Sequence, residues 1–319
     1  MIGAASLIVS LALGICSDPY VRTRADNTIC PQATTARCLW WQGGSVVTFQ
    51  QSATGNPQTP DSPPNAVFDA ITRSWTSWQS IMTDCGSLTI NEGLHTSDRT
   101  IGYNQSSPNN ANIVLFRQLT CSPPLVALND PCHTDSTCGN TYDCWEHDSN
   151  VIALTTTTYD KNSGRILDAD IELNGQGQGV TTGFKFTTVN SPLCPRGGPT
   201  AYTCVAQDIQ NTATHEFGHA IGLDHTAYTG DPLGPSTMNP SAAVGDLTKR
   251  RVDSGSRQFV CDVYPKGRAA SADCTVSASS NNPNSHSGCS AVPGEPMLVV
   301  VLAGLGLRLL GRRRSRRMN

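Results

Sequence analysis

The sequence predicts a single α+β domain over residues 30–265, flanked at both ends by segments that stand outside its core. Two apolar stripes at helical spacing, near residues 65–81 and 205–220, are separated by short β-branched runs bounded by turn residues, so helices and strands share one core. Of the 319 residues, those at the ends look like targeting segments, which leaves a foldable part of ordinary domain length. Gly, Pro, Ser and Thr abound and only 15% of residues are charged, a balance that suits a loop-rich extracellular protein.

In chain order, Ile2–Ile15 is a short apolar run leading through small residues to Cys16, and it resembles the h-region of a secretory signal peptide over residues 1–17. Cys16 raises the question of a lipid anchor, but Ile15 stands where a lipobox needs a small residue, so a removed leader is the reading. Ser45–Gln50 reads as a strand, followed by a Pro/Gly/Asn-rich loop to Pro64. From Asn65 the period changes: Val67, Ile71, Trp75, Trp78 and Ile81 recur at helical spacing after the start signals Pro63, Pro64 and Asn65. The two tryptophans are read as core packing.

Leu88–Ile90, Asn112–Phe116, Val151–Thr157 and Ile166–Leu173 read as further strands. Between them, Cys121–Trp145 carries Cys121, Cys132, Cys138 and Cys144 without periodicity and reads as a disulfide-stapled insertion; His133 and His147 are near, but the spacings fit no standard zinc site. Period-2 alternation in Asp168-Ala169-Asp170-Ile171-Glu172-Leu173 puts three carboxylates on one strand face. Like charges so arranged repel unless they are solvated or bridged by a cation, so Asp168, Asp170 and Glu172 are read as water-exposed or as calcium ligands.

Thirteen cysteines are expected in an oxidising compartment, so the chain is read as exported. Without Cys16 and Cys289 an odd number remains, which leaves at least one thiol without an internal partner; Cys30 with Cys38 and Cys194 with Cys204 are the short-range candidates. The net charge of -3 hides an asymmetry, because Arg308, Arg312, Arg313, Arg314, Arg316 and Arg317 crowd the last dozen residues. Without them the body is acidic and has no footprint for nucleic acid.

Residues 266–288 read as a Ser/Asn-rich linker and 289–319 as a sorting or anchor segment, with Gly288-Cys289-Ser290, an apolar run from Met297 to Leu310 and the arginine cluster. The run is shorter than the roughly 20 residues that span a bilayer comfortably, and it contains Arg308. The three-part order resembles the myxobacterial C-terminal sorting signal, which implies that Cys289 is the processing or attachment point and that a sorting enzyme or the membrane is a partner. A single-pass helix with positive flanking charge is the alternative. Either reading places the protein at the cell surface (outer membrane) or outside the cell.

The chemistry lies in His215-Glu216-Phe217-Gly218-His219-Ala220-Ile221-Gly222-Leu223-Asp224-His225. His215 and His219, four residues apart, share one helix face and can reach a single ion. Glu216 points elsewhere, at a water on that ion, and Gly222 can take positive φ so that His225 arrives as the third ligand. Three protein ligands leave one tetrahedral zinc position open, the mark of a catalytic site. Val205, Ile209, Ala213, Phe217 and Ala220 form an apolar stripe on a different face, so one side of the helix packs while another carries the ligands. The bare two-His pattern arises by chance in about one chain in a hundred, and the added Gly and His lower that by roughly a thousandfold.

This pattern, H-E-x-x-H-x-x-G-x-x-H, resembles that of the metzincin zinc metallopeptidases, and its surroundings are most similar to the matrixin branch. Ser236-Thr237-Met238-Asn239-Pro240 resembles the family's Met-turn, which implies that Met238 lies as an apolar floor beneath the imidazoles. The helix from Asn65, the strands through Asn174 and the closing Cys261-Asp262-Val263-Tyr264-Pro265 fall in the family's order, so the resemblance implies a zincin-like fold with a mixed twisted sheet over residues 38–265. It further implies a secreted or surface-anchored zinc-dependent endopeptidase, a monomer acting on protein or peptide substrates, in which Glu216 activates a zinc-bound water. An edge strand at Ile166–Leu173 would pair with extended substrate. Asn239 stands where matrixins carry Tyr, no P-R-C-G-x-P-D switch is present, and the family's calcium ligands map only loosely onto Asp168–Glu172. A catalytically silent binding module on the same fold is the alternative function, disfavoured by Glu216; zinc-dependent hydrolysis of a non-peptide substrate is weaker still.

Overall fold

The structure is a computed structural model that describes residues 2–5, 18–27, 37–60, 62–107, 110–175, 184–195 and 202–274. Cys16, Cys30, the apolar run from Met297 to Leu310 and Cys289 lie outside the described residues. Along the chain come β1 (Ile2–Ala5), β2 (Val21–Arg22), β3 (Val46–Gln51), α1 (Ala66–Cys85), β4 (Thr89–Glu92) and β5 (Asn112–Arg117). The insertion follows as β6 (Leu119–Thr120), α2 (Cys132–Asp135), α3 (Cys138–Tyr142) and β7 (Cys144–Trp145). The long hairpin β8 (Ala153–Asp160) and β9 (Ile166–Asn174) leads to β10 (Phe186–Thr187), β11 (Gln207–Asp208), α4 (Ile209–Ala220), β12 (Leu223–Asp224) and α5 (Ser254–Val263).

The architecture is mixed α+β. Strands β8, β9, β5, β3 and β4 form one sheet in that spatial order, parallel except for β8, which runs antiparallel to β9. β1, from within the expected leader, adds antiparallel to β8 over Thr157–Asp160. α1 starts after Asn65, whose left-handed φ of 67° suits an Asn, and buries Val67, Ile71, Trp78 and Ile81 as their spacing predicts. α1 and α4 pack together: the Trp78 indole donates to Thr214 O at 2.9 Å, and Phe49 of β3 meets Phe217 of α4 edge to face at 4.8 Å. The core lies between these helices and the sheet.

The other face of the sheet differs from expectation in two ways. The Ile166–Leu173 segment is not an edge strand, because β9 is laddered to β5 on one side and to β8 on the other. Nor are its carboxylates in water: Asp168, Asp170 and Glu172 are all buried. The alternation is real, with Ala169, Ile171 and Leu173 in the core, but the polar face is roofed by residues around Gly102 and by the insertion. Asp170 accepts from Gly102 N at 2.5 Å and Ile113 N at 2.7 Å, while Glu172 accepts from Arg117 Nε at 2.6 Å and contacts His147 Nε2 at 3.2 Å. Arg117, itself fully buried, reaches on to Asp143 of the insertion at 2.8 Å, so this ion-pair chain clamps insertion to sheet.

Disulfides Cys121–Cys144 and Cys132–Cys138 staple the insertion. Cys132, His133 and Cys138 do lie together, but with all four of the insertion's cysteines oxidised no thiolate remains there for a zinc ion. Cys194 pairs with Cys204 as expected, and Cys85–Cys261 joins the end of α1 to α5. Cys38 pairs with Cys274, not Cys30. The reason is that the segment after Pro265, expected to open a linker, folds back on the body: Cys38 N donates to Ala272 O at 3.0 Å, and the Arg22 guanidinium donates to the carbonyls of Leu39, Ser271 and Asp273. Among the described residues no helix is long and apolar enough to cross a membrane.

Candidate metal centre

α4 is fixed at both ends before its histidines are considered. Asp208 caps its start, accepting from Asn211 N at 2.7 Å, and is itself held by Arg250 at 2.5 and 2.8 Å. At the other end the carbonyls that a helix leaves unpaired find side chains: Trp41 Nε1 donates to Ala220 O at 2.8 Å and Tyr264 Oη to Ile221 O at 2.7 Å. The apolar stripe packs as expected, but nearly the whole helix is buried, including its polar face. Gly222 then takes φ +102°, and a Cβ there would meet Leu39 O at 2.5 Å, so both torsion and space require glycine. The chain reverses into β12, which pairs antiparallel with β2, and Thr23 N donates to Gly222 O at 2.9 Å. That pairing delivers His225 to the two helical histidines.

The three Nε2 atoms converge, with His215 to His219 and His215 to His225 both at 3.2 Å and His219 to His225 at 3.1 Å. His215 Nδ1 lies 2.7 Å from Thr237 O and His219 Nδ1 lies 2.8 Å from Leu223 O, so both rings carry the proton on Nδ1 and turn a lone pair inward. Burial holds the imidazoles in the neutral form: His219 is pushed down to about 4, and His215 and His225 well below the ordinary histidine value. Facing lone pairs without a donor between them fit a cation. For ligands about 2.05 Å from a tetrahedral zinc the separation would be roughly 3.3 Å, close to that seen.

The segment Ser236–Pro240 packs against α4 beside the cluster. Met238 is fully buried, and a Cβ on Gly218, the residue before His219, would come within 2.3 Å of its Sδ. Gly218 is therefore a packing glycine. Asp253, the cap of α5, anchors the turn through Thr237 N at 2.8 Å and Ser236 Oγ at 3.0 Å, and Thr237 O in turn receives His215. Asn239 closes the turn through its N–H to Ser236 O at 3.0 Å, and its side chain accepts from Ser241.

Glu216 is buried beside the cluster, its carboxyl pushed up to about 7 by burial, against which the Thr155 hydroxyl at 2.7 Å and the charge of Lys249 act. Lys249 is buried too, pushed down to about 8; its ammonium donates to Asn239 O and lies 3.5 Å from His215 Nδ1. Asp224, pushed up to about 6 by burial, accepts from His225 N at 2.7 Å.

The five motif and Met-turn positions singled out in the sequence thus meet in one place: His215, Glu216, His219, His225 and Met238, with Gly222 shaping the approach. Asp168, Asp170 and Glu172 are not part of it. Thr155, Lys249 and Asp253 were missed. Asp253 had a signal, since Asp-Ser-Gly-Ser before an amphipathic run reads as a helix start; Thr155 and Lys249 had none, because only the fold brings them to the histidines. Compared with protein-family models and with the curated proteins, the chain gives no match.

Proposed function

We propose that this chain is a zinc-dependent endopeptidase of the metzincin type, matrixin-like, that is exported and hydrolyses peptide bonds of protein substrates. The observation that carries the reading is the triad of inward-facing imidazole nitrogens 3.1–3.2 Å apart with a buried glutamate on the adjoining residue. Three neutral imidazoles with no thiolate or carboxylate among them suit zinc. A zinc ion bound there would supply a Lewis acid and an acidified water. His215, His219 and His225 would hold it, oriented by Thr237 O, Leu223 O and the β2–β12 pairing.

Glu216 is the base that takes a proton from the attacking water and hands it to the leaving amine; burial raises its carboxyl and a bound dication would lower it again, so it can be ionised at neutral pH and still accept a proton. Met238 packs tightly on Gly218 of the helix that carries His215 and His219. Extended substrate has its place along β8, in correction of Ile166–Leu173. β8 is the outer strand of the five, Thr155 puts it at Glu216, and among the described residues Ala153–Thr156 has no strand on its outer side. The five disulfides among the described residues support export. Retention or release at the cell surface through Cys289 belongs to the same proposal.

Digestion of a peptide library by the purified chain, with cleavage sites mapped by mass spectrometry with and without a chelator, tests the reading. Chelator-sensitive cleavage that zinc restores is expected. A chain that binds zinc and cuts nothing would sink it.

A further inference from the structure

Strand β8 sends its side chains alternately to the two faces of the sheet. Thr156 and Thr158 line a groove with Thr100–Gln105 on the roofed face, whereas Thr155 faces α4. Its buried hydroxyl sits 2.7 Å from Glu216 Oε2 and 3.0 Å from the Glu216 backbone carbonyl. A hydroxyl has one proton and two lone pairs, so it can donate to the ionised carboxylate, or accept from the protonated carboxyl while donating to the carbonyl. Both arrangements keep Oε2 in the same place. Among the described residues Glu216 Oε1 has no hydrogen-bond partner, so Thr155 is the one side chain that fixes the carboxyl's rotation.

We infer that Thr155 is a positioning residue for Glu216: it pins Oε2 from strand β8 so that Oε1 stays turned to the reacting water through proton uptake and delivery. The inference rests on the peptidase reading. A valine at 155 keeps the shape and the β-branched backbone preference of threonine and removes only the hydroxyl. The carboxyl can then rotate, and misplacement of a catalytic group by a fraction of an ångström costs rate rather than binding.

Thr155→Val and Thr155→Ser are compared with the wild type in the full chain. Thr155→Val is expected to lower kcat about 10- to 100-fold with KM within about twofold and zinc content unchanged, and Thr155→Ser to recover kcat to within about threefold. A second readout needs no turnover. In the metal-free chain, Thr155→Val should lower the melting midpoint by about 3–5 °C with Glu216 present and by less than half as much in a Glu216→Ala background. A wild type without activity sinks the peptidase reading and this inference together. An active wild type matched by an equally active Thr155→Val, a serine variant as impaired as valine, or equal melting losses in both backgrounds overturns the inference alone.

Discussion

Position 216 holds a carboxyl that water barely reaches, and its neighbours decide what it can do. Burial favours the neutral acid, while Thr155 and Lys249 favour the carboxylate. A dication held by the three histidines would add to the second side, so on the proposed reading the holoprotein's carboxyl should lose its proton below pH 7. A general base must be ionised to act, so kcat/KM should fall as pH drops through that value, and the acid limb of the pH–rate profile should lie below pH 7. Glu216→Gln keeps the size and removes the basicity. It should cost about 10²- to 10⁴-fold in kcat while zinc content, read by atomic absorption, stays at one ion per chain. A variant that cleaves like the wild type would show that the proton goes elsewhere.

At the scale of elements, α4 and the Met-turn act as one packed unit. Gly218→Ala puts a methyl group against Met238 Sδ and the Trp78 ring, so it should destabilise by about 1–3 kcal/mol, seen as a lower urea midpoint with the slope unchanged. An unchanged midpoint would mean the turn is free to shift. Strand β9 supports a second prediction. Asp168 Oδ2 is buried with no hydrogen-bond partner among the described residues, which disfavours its charged form; burial pushes Asp168 up to about 6 and Asp170 well above the ordinary carboxyl value. Groups raised in the folded state stabilise it while protonated, so their contribution is present in acid and lost as pH rises through about 6. Asp168→Asn should therefore melt increasingly above the wild type between pH 5 and 7.5. With Glu172 committed to Arg117, calcium has only Asp168 and Asp170 left on this strand; millimolar calcium should raise the wild-type midpoint at pH 7.5 and not that of Asp168→Asn. No shift with calcium removes that ion from the picture. The helices and strands themselves were legible, because periodicity reports which residues share a face: α1 buries Val67, Ile71, Trp78 and Ile81 with Trp75 half-buried against the same core, and β9 alternates as read. What roofs a face is not in the period, and so three buried carboxylates read as water-exposed or as calcium ligands.

At the scale of the whole molecule, the three-histidine motif could be read from the sequence because its spacing is local, and its surroundings could not because they are assembled from distant segments. Nothing near His225 in sequence announces that its approach is held by β2, some 200 residues earlier. The holding runs further. Thr23, beside β2, donates to Gly222 O and accepts from Leu39 N, and Leu39 adjoins Cys38, which is bonded to Cys274. The late segment 271–274, the early segments 22–24 and 37–39 and the ligand loop 222–225 are therefore successive layers, with Arg22 donating into two of them. Cutting the outermost tie should be felt at the metal. Replacing both Cys38 and Cys274 by serine removes a link across 236 positions and should cost about 2–4 kcal/mol, because so long a loop restrains the unfolded chain strongly. If the layers are coupled as their hydrogen bonds indicate, the same variant should also bind zinc about 3- to 30-fold more weakly, since loosened β2 lets His225 drift from His215 and His219. The comparison is with a double serine variant of Cys194 and Cys204, whose bridge closes a separation of 10. Zinc titration against a competing chelator, with melting followed on the same samples, separates the two outcomes. Weaker zinc binding in the first variant alone marks the chain of contacts as real, and equal zinc affinity in both marks the disulfide as a staple of the body with no reach into the metal centre.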